Sequence, residues 1–396
     1  MTKFSTHASL KSDAHKISQP VIAQILPALD LGGVERGTIE MAKAIIAAGG
    51  KAVVISSGGQ LVPQLQRIGA VHITLPVHVK NPFKWGRIRR QLKSHLREQG
   101  VDIVHVRSRA PAWIALPAAR ALGLKTVSTI HGKFKAGWFL KRFYNRKILR
   151  ADKLIAISDF VKETILNQHK FPGLDEKLTV IPRGVDIAYF DPAAVTQARI
   201  VSEAQRLALP DDRPVMMLPA RPTGWKGHKI LIDAVSRMSD KHFTLVLLGA
   251  SGGPYKYQEM LEEQIMRLGL AGVIRLASQS KDMPASLMLA DVVVMPSIEP
   301  EPFGRVALEG QAMGRPVVAF GHGGALESIQ DGETGFLVPP GDVAALATTL
   351  ETALALGPRK RKAWATKARA HIEEQFTTAL MCERTLAIYD ALLADR

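Results

Sequence analysis

The chain has a single cysteine, Cys382, among 396 residues. One thiol excludes an internal disulfide framework and a cysteine-built metal site, and it fits a reducing, cytoplasmic compartment. Long apolar runs are missing too. None approaches the roughly 20 residues that cross a bilayer. The opening stretch "MTKFSTHASLKSDAHKISQP" has no apolar core of signal-peptide length. The expectation is a cytoplasmic protein, soluble or peripheral on the inner face of the cytoplasmic membrane. Low-complexity segments are absent. No Asp-x-Asp pair follows a strand and no His/Cys cluster appears, so neither a metal nor a cofactor is expected. "DLGGVERG" lacks the G-x-G-x-x-G spacing, which argues against a nicotinamide dehydrogenase.

Acidic residues are scarce in one half only. Residues 1–200 carry 31 Lys and Arg against 13 Asp and Glu, whereas residues 201–396 carry 21 against 23. The net charge of +16 therefore resides in the first half, which points to an anionic partner there. Charge alone would suit nucleic acid, but no nucleic-acid-binding motif accompanies it.

With 46% apolar residues the chain can bury the cores of two or three domains. Short apolar runs such as "PVIAQILPAL", "KAVVISS", "VDIVHV" and "KTVSTIH" alternate with helical patterns. In "ERGTIEMAKAIIAAG", Ile39, Ala42, Ile45 and Ile46 share one face and Gly49 marks the stop. The second half repeats the scheme with "PVMMLPA", "FTLVLLGA", "DVVVMPS" and "RPVVAF". This βαβ rhythm predicts α/β architecture with two doubly wound parallel domains. The turn formers of "DIAYFDPAAV" and "LPDDRP" mark an irregular junction. Residues 1–190 then form the first domain, 191–213 a linker and 214–375 the second domain, with a final helix over 376–396 that would cross back to the first.

In open α/β sheets, ligands bind beyond the carboxyl ends of the strands. At one such end, "EPFGRVALEG" sets Glu301 on a loop and Glu309 about one and a half turns into the next helix. Gly304 permits close backbone approach, and free N–H groups of the first turn can donate to polar oxygens. Carboxylates accept only, which suits sugar hydroxyls. At another strand end, "PARPTGWKGHK" sets Arg221 and Lys226 before a helix start, where two cations can hold a diphosphate. At a third, Gly32 and Gly33 let backbone meet phosphate. His131 ends "KTVSTIH", and Arg107 and Arg109 follow "VDIVHV" as candidate acceptor contacts, with Lys133 nearby. For a lone acid pair or a lone Arg-Lys pair, an ordinary solvated surface would be the default.

The motif set as a whole changes that balance. From "ALDLGGVERGTIEMAKA" to "PEPFGRVALEGQAMGRPVVAFGHGGALESIQDGETGFLVPPGD", the chain resembles the retaining GT-B glycosyltransferases of family 4 along nearly its full length. The resemblance implies two Rossmann-like domains facing across a cleft and metal-independent transfer from a nucleotide diphosphate sugar. It implies that Glu301 contacts the transferred sugar and Glu309 the nucleotide ribose. Arg221 and Lys226 would draw the departing diphosphate. Gly32 and Gly33 would form the donor-phosphate loop, and His131 would hydrogen bond the sugar. Phe303, Gly304 and Arg305 would complete the donor site. "IPRGVD" carries Arg183 where the family often has Asn.

Within the family, "HVRSRAPAW", "LKRFYNR" and "DMPASLMLADVVV" resemble the lipopolysaccharide core mannosyltransferases. This implies GDP-mannose as the first-choice donor, a UDP-hexose as the second, and a lipid-linked anionic glycan acceptor. The stretches "KNPFKWGRIRRQLKSHLREQG" and "KFKAGWFLKRFYNRKILR" mix cations with aromatics, including Trp85, Trp138, Phe139 and Tyr144, and suit an anionic membrane surface. An equally plain reading is a solvated helix face whose aromatics are core. The rivals are a UDP-hexose transferase for exopolysaccharide, a nucleotide-sugar epimerase of the same fold, which needs no acceptor, and a nucleic-acid-binding protein.

Overall fold

The structure is a computed structural model that describes residues 19–30, 32–132, 139–251 and 255–395. These residues divide into two compact units. One runs up to Pro182 and takes in the chain from Ala379; the other spans Arg183–Thr378.

The first unit is built on strands β1 (Val21–Ile25), β2 (Lys51–Ser56), β3 (Val71–Thr74), β4 (Ile103–Val106), β5 (Lys125–Ile130), β6 (Lys153–Ala156) and β7 (Leu178–Val180). They form one parallel sheet in the order β3-β2-β1-β4-β5-β6-β7. The second unit holds β8 (Val215–Pro219), β9 (Thr244–Leu248), β10 (Ile274–Ala277), β11 (Val292–Met295), β12 (Val317–Phe320) and β13 (Phe336–Val338). Their order, β10-β9-β8-β11-β12-β13, repeats the first scheme, again all parallel. Such sheets are covered on both faces, so their strands are nearly continuous apolar runs. That is why every residue of β1, β4, β9, β11 and β12 is buried.

In the first unit Ile22, Leu26 and Val54 pack under Ile39, Ala42 and Ile45 of helix Gly33–Ala47. In the second, Met216, Leu245 and Val294 pack under Leu231, Ile232 and Val235 of helix His228–Arg237. Each sheet reverses its strand order once, between β1 and β4 and between β8 and β11. The crevice at such a switch point is where ligands of doubly wound sheets bind.

Two features differ from the sequence reading. The first unit ends before residue 190: Val185 bridges Thr377, and Arg369 Nη1 donates to the Phe190 carbonyl at 3.0 Å, so this segment belongs with the second unit. The stretch read as irregular contains a helix, Gln197–Arg206, capped by Thr196. Its anchoring is polar. Buried Glu203 accepts from Ser280 at 2.8 Å, from Ser286 and from Arg206, and Arg199 pairs with Asp282 at 2.7 Å. Apolar periodicity carries no trace of such docking. The last helix, Thr378–Ala394, places Met381, Tyr389, Leu392 and Leu393 in the core of the first unit. Among the described residues, no helix is long and apolar enough to cross a membrane.

Candidate active site

The switch point of the second sheet brings two sequence motifs together. After β8 the chain makes a short turn, Gly224–Lys226, and enters helix His228–Arg237 through Gly227 at φ 81°. After β11 it runs through Ser297 to Glu301 and enters helix Arg305–Ala312 through Gly304 at φ 87°. Both caps need the left-handed region that glycine adopts freely. Gly227 is also pressed on Pro296. A Cβ there would lie 1.8 Å from the Pro296 carbonyl oxygen. The Ile298 amide donates to the Trp225 carbonyl at 2.9 Å, which locks the two loops side by side.

This contact sets the chemistry. Lys226 Nζ donates to Glu301 Oε1 at 2.5 Å, and Ser297 Oγ donates to the same oxygen at 2.7 Å. Glu301 is 6% exposed, so both are charge-assisted bonds to a largely desolvated carboxylate. Lys226 Nζ also sits 4.2 Å from the centre of the Trp225 ring. Behind Glu301, a loop after β12 closes in. The Gly324 amide donates to the Glu301 carbonyl at 2.9 Å, and Gly323 bridges to Glu301. A Cβ on Gly324 would lie 2.4 Å from Phe303 Cα. From the same loop His322 Nε2 meets the Ser297 carbonyl at 2.7 Å; a carbonyl only accepts, so Nε2 is the donor.

The other expected donor residues take varied positions. Arg221 is exposed at the end of β8. Glu309 pairs with Arg305 at 3.0 Å along their helix. Phe303 is buried edge-on against Phe376, so any donor contact it makes passes through its backbone. His228, just beyond Lys226, is fully buried against Tyr257; burial holds its pKa down at about 4, partly offset by the backbone of Ala220 and Thr223. Among the described residues no group of three or more His, Cys, Asp or Glu could hold a metal.

In the first unit, Gly32 caps helix Gly33–Ala47 in extended conformation at the end of β1, and His131 follows β5, half-buried. The two arginines after β4 part company. Arg109 Nη1 donates to Asn145 Oδ1 at 3.1 Å. Arg107, expected on an open loop, turns inward instead: it is 4% exposed and donates to Gln24 Oε1 at 2.9 Å, and burial lowers its pKa. Gln24 in turn donates to the Thr38 carbonyl in helix Gly33–Ala47. Arg107 is thus tied through Gln24 to the interior of helix Gly33–Ala47. Lys133 and Trp138 lie outside the described residues.

Sequence reasoning missed Ser297, Trp225, His322 and the pair Gly323-Gly324. Ser297 and "GHGG" both follow strand ends, so the carboxyl-edge rule would have singled them out.

The model of Glycosyltransferase Family 4 matches residues 31–189, and that of Glycosyl transferases group 1 matches residues 201–371. The GDP-mannose-dependent alpha-(1-6)-phosphatidylinositol monomannoside mannosyltransferase of Mycolicibacterium smegmatis is 30% identical over 69% of this chain and 72% of its own length. The D-inositol 3-phosphate glycosyltransferase of Kineococcus radiotolerans is 32% identical over 62% of this chain and 58% of its own length. A solved glycosyltransferase from Rickettsia africae ESF-5 is 35% identical, with a TM-score of 0.89, covering 96% of this chain and all (100%) of that one.

Two doubly wound parallel units of matching strand order define the GT-B class. Within that class the chain belongs to the family 4 and group 1 glycosyltransferases, and it is a glycosyltransferase.

Proposed function

We propose that the chain moves a hexose from a nucleotide diphosphate sugar to a lipid-linked anionic glycan, retaining the anomeric configuration and without a metal. The observation that supports this most is the contact between Lys226 and Glu301, a cation suited to diphosphate beside an acid suited to a sugar hydroxyl. Arg221 and Lys226 face the charge that develops on the departing diphosphate, a preorganised effect worth roughly 3–4 kcal/mol per donor. Glu301 orients the sugar through a hydroxyl, and Glu309 holds the ribose. A donor phosphate oxygen takes the acceptor proton, so no separate enzymic base is required.

GDP-mannose is the first-choice donor and a UDP-hexose the second. A mannosyltransferase among the relatives supports the first. The acceptor reading, a lipopolysaccharide core or similar glycan, draws support from the excess of cations in the first half and from a relative named for a phosphatidylinositol mannoside. The exposed Phe83, Lys84, Arg87 and Arg90 on helix Pro82–Glu98 support peripheral contact with an anionic membrane surface.

The test is release of nucleoside diphosphate from a panel of nucleotide sugars, with and without core lipid. Wild type should turn over one donor only when acceptor is present. Glu301→Gln should lose at least about a hundredfold in kcat, the scale of a removed transition-state contact, with its circular dichroism spectrum unchanged. Near-normal turnover by that variant would take Glu301 out of the site. Conversion of a nucleotide sugar to its epimer without acceptor and without net release of nucleoside diphosphate would favour the epimerase reading.

A further inference from the structure

Two donors converge on one oxygen of Glu301. Lys226 Nζ and Ser297 Oγ both reach Oε1, and among the described residues no donor reaches Oε2. The carboxylate is thus held by one edge and presents the other. Ser297 is itself fixed. It is 2% exposed, and His322 Nε2 grips its carbonyl at 2.7 Å. Gly323 and Gly324 hold the Glu301 backbone from the same loop. Three strand ends, those of β8, β11 and β12, therefore supply the parts.

The two donors differ in kind. Lys226 is a flexible ammonium, and it is the residue assigned to the diphosphate. A phosphate oxygen that recruits Lys226 takes it from Glu301. Ser297 lies four residues before Glu301 in the same loop and has no such second task. We propose that Ser297 is a positioning residue for the transfer: it keeps Oε1 pinned when Lys226 turns to the diphosphate, so that Oε2 stays aimed at a sugar hydroxyl. His322 serves the same end one step back, by fixing the backbone of Ser297. Lys226 rests on Glu301, and a bound diphosphate exchanges that partner for phosphate without freeing the acid to rotate. This inference rests on the roles given to Glu301 and Lys226 under the proposed function.

The experiment compares wild type, Ser297→Ala and Ser297→Thr in two measurements on the full chain. One is steady-state turnover of whichever nucleotide sugar the wild type uses. The other is calorimetric titration with GDP and with UDP, which carry the diphosphate but no sugar. Ser297→Ala should lower kcat about tenfold, the scale of one charge-assisted hydrogen bond used for positioning. Its KM for the sugar nucleotide and its affinity for the nucleoside diphosphate should stay within about twofold of wild type. Ser297→Thr keeps the hydroxyl and should recover most of the loss.

Wild-type kcat in Ser297→Ala would overturn the proposal. So would a parallel loss of diphosphate affinity, which would make Ser297 a support of the loop and not of the acid. Glu301→Gln separates this from failure of the underlying reading. If that variant is inactive while Ser297→Ala is unaffected, the site assignment stands and only the positioning role falls.

Discussion

At the scale of the residue, position relative to a strand end decides what a side chain can do. Lys226 and His228 are two apart, yet one carries charge into the site and the other is sealed beneath it. The divide is Gly227, whose left-handed backbone lets the loop pass against Pro296 before the helix turns inward. Sealing His228 has a consequence for acid stability. Its folded pKa, about 4, lies below the ordinary 6.5, so between those values the unfolded chain binds the extra proton. Stability from this group is complete above about pH 6.5 and is lost as pH falls toward 4. Buried His105, also held well below its ordinary value by burial and by Arg107, acts in the same direction in the first unit. Denaturant midpoints measured across this range should fall with pH in wild type, and His228→Gln should show a shallower slope. An identical slope would mean that His228 is solvated. None of this was legible in "WKGHK", where His228 looks like one more polar residue at a helix start. Strand ends and glycine turns drew attention to Glu301, Lys226 and Arg221, and the family resemblance lifted them above an ordinary solvated surface; the contact of Lys226 with Glu301 is what the structure adds. The place of Ser297 at a strand end was legible, but its task was not, because that depends on a hydrogen bond across a loop and on a neighbour, His322, from another strand.

At the scale of the element, most strands and helices could be read from alternating apolar runs, since a parallel sheet buries both faces and leaves an unmistakable pattern. Helix Gln197–Arg206 could not, because ion pairs anchor it. Helix Pro82–Glu98 is the mixed case. The aromatics expected to interleave with cations split into two groups. Trp85 and Tyr144 pack on Trp113, with ring centroids 5.1 and 5.7 Å away, and Lys147 lies over the same ring. They are packing residues. Phe143 joins them in part, its ring 5.5 Å from Trp113 although the residue is 60% exposed, whereas Phe83 is 96% exposed beside exposed Lys84 and Arg87. An exposed phenylalanine ringed by cations matches an anionic lipid surface, where each cation is worth about 1 kcal/mol. Replacing Lys84, Arg87, Arg90 and Lys141 with Gln should weaken binding to phosphatidylglycerol vesicles on the order of tenfold or more. GDP titration should be unchanged, since these residues lie outside the unit that holds Lys226 and Glu301. Unaltered vesicle binding would reduce the patch to a solvated face.

At the scale of the whole molecule, the chain does not finish one unit before starting the next. It builds seven strands, leaves for Arg183–Thr378, and returns from Ala379 to complete the first core. The returning helix is joined by a buried polar chain as well as by apolar packing. His105 Nδ1 meets Tyr389 Oη at 2.6 Å, and His105 Nε2 meets Thr129 Oγ1 at 2.7 Å, linking β4, β5 and helix Thr378–Ala394. Burial pushes the Tyr389 phenol up and the His105 imidazole down, so both are neutral and each can donate once and accept once. The amphipathic pattern of the last residues was legible, and with it the expectation that they cross back to the first domain; the particular contact with His105, nearly 300 positions away in sequence, was not, because periodicity reports a buried face and never which side chain meets it. The energetics are lopsided. Met381, Tyr389, Leu392 and Leu393 are all buried, and each contributes roughly 1.5–3 kcal/mol. Together they are comparable to the 5–15 kcal/mol that holds a typical domain folded. A chain ending at Thr378 should therefore lose the first unit and keep the second. Hydrogen exchange is the measurement: amides of β1 and β4 should exchange fast in the truncated chain while those of β8 and β11 stay protected. Tyr389→Phe is the milder probe, costing about 1–3 kcal/mol by leaving a ring nitrogen of His105 unpaired. If β1 and β4 stayed protected after truncation, the seven-stranded unit would be complete without its last helix, and the return of the chain would have to serve something other than stability.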